Sequence, residues 1–253
     1  ISVTGVQTCA LPIFTFPAIA EFCGSSPVFV DTSETDFILT AEQVDASITD
    51  RTRLLIINSP NNPTGRVVPS TEMRRIVETC ADRGVYVLTD ECYLFFAYQP
   101  AEPFTSATLP PELRKFVCVA GSFSKTYAMT GWRIGYTIAD PEWTKAMVKL
   151  QSHSATHPTS FVQYACAKAL RDVDETIDAV NSMTGEYERR KNWFIPALNG
   201  IEGFKCAMPE GAFYAFVDSS WCCRCRASAA RSASSSACCP PRSRRPPSCG
   251  RSD

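Results

Sequence analysis

Three short segments of this 253-residue chain gather side chains able to do chemistry. They are Asn58-Ser-Pro-Asn-Asn-Pro-Thr-Gly65, Thr89-Asp-Glu-Cys-Tyr93 and Gly121-Ser-Phe-Ser-Lys-Thr-Tyr-Ala-Met-Thr-Gly-Trp-Arg133. A lysine amine becomes a nucleophile when it is desolvated or set beside other cations. A carboxylate can hold a protonated nitrogen, and the planar fork of arginine suits a phosphate. Each segment also has an ordinary reading. Asn-Pro-Thr-Gly is good turn chemistry. An acidic residue after a strand often caps the next helix, and a Ser-Lys pair in a loop is usually solvated. Their shared position lifts them above those readings. Each follows a short apolar run, and in open α/β sheets ligand sites lie beyond the carboxyl ends of the strands.

The elements that must position these segments alternate apolar runs with helical patterns, which argues for an α/β fold with a mainly parallel sheet flanked by helices. Pro27–Val30 reads as a strand, and Thr40 with Gln43 forms a capping box for a short helix reaching Ile48. Leu54–Ile57 is a continuous apolar strand of the kind buried on both faces. Met73, Ile76, Val77 and Cys80 fall on one face of a helix that Gly84 ends. Val85–Leu88, Phe116–Ala120 and Arg133–Ile138 are the further strands. Pro141 opens a helix to about Leu150, and Ser160 is placed to cap another reaching Arg171. A long amphipathic helix from about Asp174 to Leu198 connects to a smaller domain starting near Gly200.

The net charge of −1 gives no sign of nucleic acid or of an anionic membrane as partner, but it conceals an asymmetry. From Trp221 onward the chain is Arg-, Ser-, Ala-, Pro- and Cys-rich, without hydrophobic period. That composition is what a GC-rich coding sequence yields when read out of frame, and it reads as a disordered tail after a frameshift near Ser220. Its cysteines fit no standard zinc spacing. Residues 1–13, ISVTGVQTCALPI, resemble a translated adapter remnant, and both ends stand outside the fold expected here. The remaining cysteines are scattered singly, as in a reduced cytoplasmic protein. No apolar run is long enough to span a bilayer, and no secretory signal is evident. His153 and His157 are four apart and could share a helix face, but Pro158 follows and no third ligand is evident, so no metal site is expected.

Taken together, SPNNPTG, TDECY, SFSKTYAMTGWRIGY and PEGAFYAF occur in an order that resembles the fold-type I, class I/II aminotransferases, closest in texture to their aspartate aminotransferase-like bacterial members. The likeness runs from Phe16 to Asp218. It implies pyridoxal 5'-phosphate as cofactor and Lys125 as the residue that holds its aldehyde as a Schiff base. It carries to Asp90 the partnership with the protonated pyridine nitrogen that keeps the ring an electron sink, while Glu91 points away. Asn62 and Tyr93 match the donors to the phenolic oxygen. Ser122, Ser124 and Arg133 match the phosphate cup. The implied reaction moves an amino group between an amino acid and a 2-oxo acid, with Lys125 as general base and acid. A homodimer follows from the resemblance alone.

The same likeness divides the chain into a partial large domain over 14–172, a connecting helix over 173–199 and the start of a small α+β domain over 200–220. It sets a phosphate-binding glycine loop, a ring-stacking aromatic residue and a substrate-carboxylate arginine outside the matching stretch. No tail arginine takes that last role. Gly211–Tyr214 reads as structural, Trp132 and Tyr136 as core or cofactor-wall residues, and Cys92 as packing. Three alternatives stay open: a C–S β-lyase or aminocyclopropane-carboxylate synthase-like enzyme using the same residues, an aminotransferase-like sensing domain of a transcription regulator, and an inactive fragment.

Overall fold

A computed structural model describes residues 2–5, 15–154 and 156–219. Continuous aliphatic runs build a six-stranded sheet in the order β2-β1-β3-β4-β5-β6. The strands are β1 (Ser2–Gly5), β2 (Val28–Phe29), β3 (Thr52–Asn58), β4 (Tyr86–Asp90), β5 (Val117–Ser122) and β6 (Gly135–Ile138). The first five run parallel, and β6 is antiparallel to β5. The β5–β6 connection carries only a four-residue helix, Phe123–Thr126, and a 3-10 turn, Thr130–Trp132, rather than the long crossover helix usual between parallel strands. Ser2–Gly5, within the stretch that resembles an adapter remnant, thus forms a strand. Ser2–Gly5 pairs on either side with β2 and β3, since a strand edge offers unpaired N–H and C=O groups to any extended segment.

Helices cover both faces. On one lie α2 (Ala41–Ser47) and α3 (Ser70–Asp82), packed against Leu55, Ile57, Val87, Val117 and Val119. The expected stripe of α3 is there, with Met73, Ile76, Val77 and Cys80 all buried. Thr40 closes α2 with both hydrogen bonds of the capping box. On the other face, Ala20 and Phe16 of α1 (Thr15–Phe22) meet Ile56, Leu54 and Leu88. This double cover is why the strands read as unbroken apolar runs rather than alternating ones.

Short helices α4 (Pro111–Arg114) and α5 (Phe123–Thr126) flank β5. Then follow α6 (Pro141–Ser154), α7 (Ser160–Arg171) and α8 (Val173–Asn199). Thr159, not Ser160, takes the N-cap position of α7, and its side chain makes no capping bond. His153 lies on α6, whereas His157 falls beyond its end and bonds the Pro158 carbonyl at 2.7 Å, so the two share no helix face. Among the described residues no three His, Cys, Asp or Glu side chains gather as for a metal, and no helix is long and apolar enough to cross a membrane. After α8 comes a separate antiparallel pair, β7 (Lys205–Cys206) and β8 (Val217–Asp218). The expected out-of-frame tail, from Trp221, lies outside the described residues.

Candidate active site

The last residues of the three central strands are Asn58, Asp90 and Ser122. Asn58 is level with Asp90, and Asp90 with Ala120. Parallel register and the two-residue period therefore turn Asn58, Asp90, Ala120 and Ser122 to one face, the face that carries Leu88 and Ile56 below them. The same alternation turns Glu91 to the other side. There its Oε1 accepts from Thr89 Oγ1 at 3.0 Å and from the Ser106 N–H at 2.8 Å. Only one of the two adjacent acids thus faces the candidate site.

Asn58 ties the first two segments together. Its Nδ2 donates to the Asp90 carbonyl at 3.0 Å, and its Oδ1 accepts from the Asn62 N–H at 2.7 Å. Asn61 braces the turn beyond by accepting from both the N–H and the hydroxyl of Thr64. Asn62 is half-buried, and among the described residues its side-chain amide takes no partner. Asn58 is a bracing residue that the motif pattern does not single out; an amide at a strand end, one step before the Ser-Pro turn, is its signal in the sequence.

Asp90 Oδ1 accepts from the Cys92 N–H at 3.1 Å. Burial pushes the Asp90 carboxyl above the usual carboxylate range, and the Cys92 hydrogen bonds only partly oppose this. Burial likewise pushes the Cys92 thiol up; the Asp90 carboxyl adds to that shift and the Lys125 ammonium opposes it. The shift keeps the thiol neutral, in line with its packing role.

Lys125 stands on α5, one turn beyond the end of β5, where Ser122 Oγ caps the helix by accepting from the Ser124 N–H at 3.1 Å. Its Nζ lies 5.5 Å from the ring centre of Phe213 and 5.9 Å from that of Tyr93. Ser122, Ser124 and Lys125 come together directly through the chain, and Arg133 follows eight residues after Lys125. The Arg133 backbone is left-handed at φ 53°, and its guanidinium, exposed, donates to the Thr130 carbonyl at 3.0 Å. It forms no ion pair among the described residues, so most of its donors remain open.

Tyr93 is buried at 3% exposure, and its hydroxyl is hydrogen-bonded to that of Tyr214. Burial first, and this bond second, raise its phenol well above the ordinary range. Phe213 and Tyr214 thus belong to the site wall, which corrects the reading of Gly211–Tyr214 as structural alone. Local pattern could not show it, because long-range clamps bring them there. The Gly65 carbonyl accepts from the N–H groups of Glu210 and Gly211 at 2.9 and 2.8 Å, and Ala212 N–H donates to the Phe96 carbonyl at 2.9 Å. Glu210 accepts from the Val67 N–H at 3.1 Å and pairs with Arg66 at 3.5 Å. Of the two readings of Trp132 and Tyr136, the core one does not hold: both are more than 40% exposed, and Tyr136 lies opposite Gly121, on the face away from Asp90.

Residues 13–223 match the family described as aminotransferase class I and II. The chain is 40% identical over 207 residues to a probable aspartate/prephenate aminotransferase of Aquifex aeolicus, covering 81% of this chain and 52% of that protein. It is 41% identical over 202 residues to aromatic-amino-acid aminotransferase 2 of Thermococcus litoralis, covering 79% and 51%. Among solved structures, the Thermus thermophilus aspartate aminotransferase with maleate superimposes with a TM-score of 0.80 at 31% identity, over 87% of this chain and 56% of that one. The aromatic aminotransferase of Pyrococcus horikoshii gives 0.79 at 35% identity, over 85% and 57%. The chain spans about half the length of the curated relatives it matches.

Proposed function

The chain belongs to the class I and II aminotransferase family, of fold type I, and on that premise we propose that it is the cofactor-holding part of a transaminase. The enzyme would move an amino group between an amino acid and a 2-oxo acid with pyridoxal 5'-phosphate. The observation that carries the reading is the position of Lys125, its Nζ 5.9 Å from the Tyr93 ring and 5.5 Å from the Phe213 ring, at the carboxyl edge of the sheet where Asp90 ends β4 and Ser122 ends β5. The donor set suits that cofactor: one half-buried carboxyl, one amine, two serine hydroxyls and an arginine with open donors.

When bound, pyridoxal phosphate supplies an electrophilic aldehyde and a ring that takes up the electron pair freed at a substrate's α-carbon. Lys125 is the covalent anchor. Its amine would also move the substrate's α-proton, first as base and then as acid. Asp90 holds the ring nitrogen in its protonated form. A carboxyl whose burial disfavours its charge gains most from such a cationic partner, which is the physical argument for that role. Asn62 and Tyr93 would donate to the phenolic oxygen, and Ser122, Ser124 and Arg133 to the phosphate. The full-length enzyme would pair as a homodimer, and its setting would be the cytoplasm. The β-lyase, synthase and sensing-domain alternatives have no observation that favours them.

The test is a borohydride trap. The chain is mixed with pyridoxal phosphate, its visible band recorded, the adduct reduced, and the labelled peptide found by mass spectrometry. Label confined to Lys125, and lost in Lys125→Ala, is the expected result. Label scattered over many lysines, or none, would overturn the assignment.

A further inference from the structure

Tyr214 stands 121 residues beyond Tyr93, yet the two hydroxyls are hydrogen-bonded and the rings meet edge-on at 5.6 Å. Phe213 lies 5.3 Å from the Tyr93 ring and 5.5 Å from Lys125 Nζ. The pair is held firmly. Tyr98 N–H donates to the Glu210 carbonyl at 2.7 Å, and the Tyr98 hydroxyl donates to the Ala212 carbonyl. Both Tyr98 and Ala212 are buried.

We propose that Tyr214 is a positioning residue for the Lys125 site, orienting and polarising the Tyr93 hydroxyl so that Tyr93 donates to the cofactor's phenolic oxygen. This rests on the functional reading that sets Tyr93 against that oxygen. A phenol has one hydrogen to give and lone pairs to receive another. With Tyr214 donating to Tyr93 Oη, the Tyr93 hydrogen is left for the cofactor oxygen. A chain of hydrogen bonds also strengthens each member. The segment after α8 thereby sets how tightly the bound group holds its proton, although Tyr214 itself need not touch it. A strong donor to an oxygen lowers that oxygen's proton affinity, so removing the Tyr214 hydroxyl raises the pH at which the bound group loses its proton.

The experiment follows the visible absorption of the chain loaded with pyridoxal phosphate against pH. Tyr214→Phe is expected to move the midpoint upward by about half a pH unit, roughly threefold in proton affinity. Tyr93→Phe moves it further, and the double variant matches Tyr93→Phe alone, because Tyr214 acts through Tyr93. A role in packing alone would change the amount of band and leave the midpoint in place. An unmoved midpoint in Tyr214→Phe, or a shift that adds to that of Tyr93→Phe, would overturn the proposal. Should Tyr214→Phe not fold, 3-fluorotyrosine at position 214 serves instead. It is a stronger donor and must lower the midpoint; an unchanged value counts against the idea. If the unsubstituted chain gives no band and no label on Lys125, the functional reading itself falls, which is a different failure.

Discussion

Gly65→Ala should release the 208–214 segment from the sheet edge. Gly65 has φ +70°, and an added Cβ would sit 2.4 Å from Pro209 Cβ and 3.0 Å from the Gly211 carbonyl oxygen. Two effects follow. A left-handed alanine costs about 1–2 kcal/mol. Moving Pro209 away loosens the two hydrogen bonds that the Gly65 carbonyl accepts from Glu210 and Gly211, and the Val67–Glu210 bond beside them. At about 1 kcal/mol each, these raise the total to about 4–5 kcal/mol. Gly84 is the internal control: its φ is +65°, but nothing lies within 4 Å of its added Cβ, so Gly84→Ala meets the strain alone. In urea unfolding with a slope of about 2 kcal/mol per molar, the midpoint should fall by about 2 M for Gly65→Ala and by about 0.5–1 M for Gly84→Ala. Near-UV circular dichroism should report loosening of the Tyr93–Phe213–Tyr214 cluster in the first variant only. Equal losses in the two variants would refute the idea that this loop clamps the segment.

Asp90→Asn should weaken retention of pyridoxal phosphate, read as faster loss of the cofactor on gel filtration, while stabilising the cofactor-free chain at neutral pH. The sign follows from burial, which raises the folded-state carboxyl above its unfolded value. Below the unfolded value both states are protonated and there is no penalty; as pH rises from there through the folded value, ionisation disfavours the folded state. The stabilising effect of the variant on thermal unfolding should therefore vanish in acid, and a variant less stable at pH 7 would contradict it. In the native chain, iodoacetamide at mildly alkaline pH should modify exposed Cys23 and spare Cys80, which is fully buried with its thiol pushed up to about 12. Labelling of Cys80 at the rate of Cys23 would show that α3 does not pack as described.

Much of this protein is written locally. The α3 stripe, the α2 capping box and the double-faced strands β3 and β4 follow from spacing alone, because each depends on neighbours within a turn or on the period of the backbone. The motif segments were legible for the same reason: Asp90, Ser122 and Lys125 sit at strand ends or one turn beyond, where α/β topology opens toward ligands. The choice of Asp90 over Glu91 was also within reach, since side chains alternate along β4. What the tertiary structure alone decided involves partners far apart in the chain. The direction of β6, the recruitment of Ser2–Gly5 into the sheet and the displacement of Tyr136 to the opposite face depend on pairing rather than on pattern. Above all, the meeting of Tyr214 with Tyr93 and of Phe213 with Lys125 arises from hydrogen bonds between Gly65, Phe96 and the 208–214 segment. No local periodicity encodes a contact between residues 121 positions apart; only the closed geometry of two glycine-containing turns does.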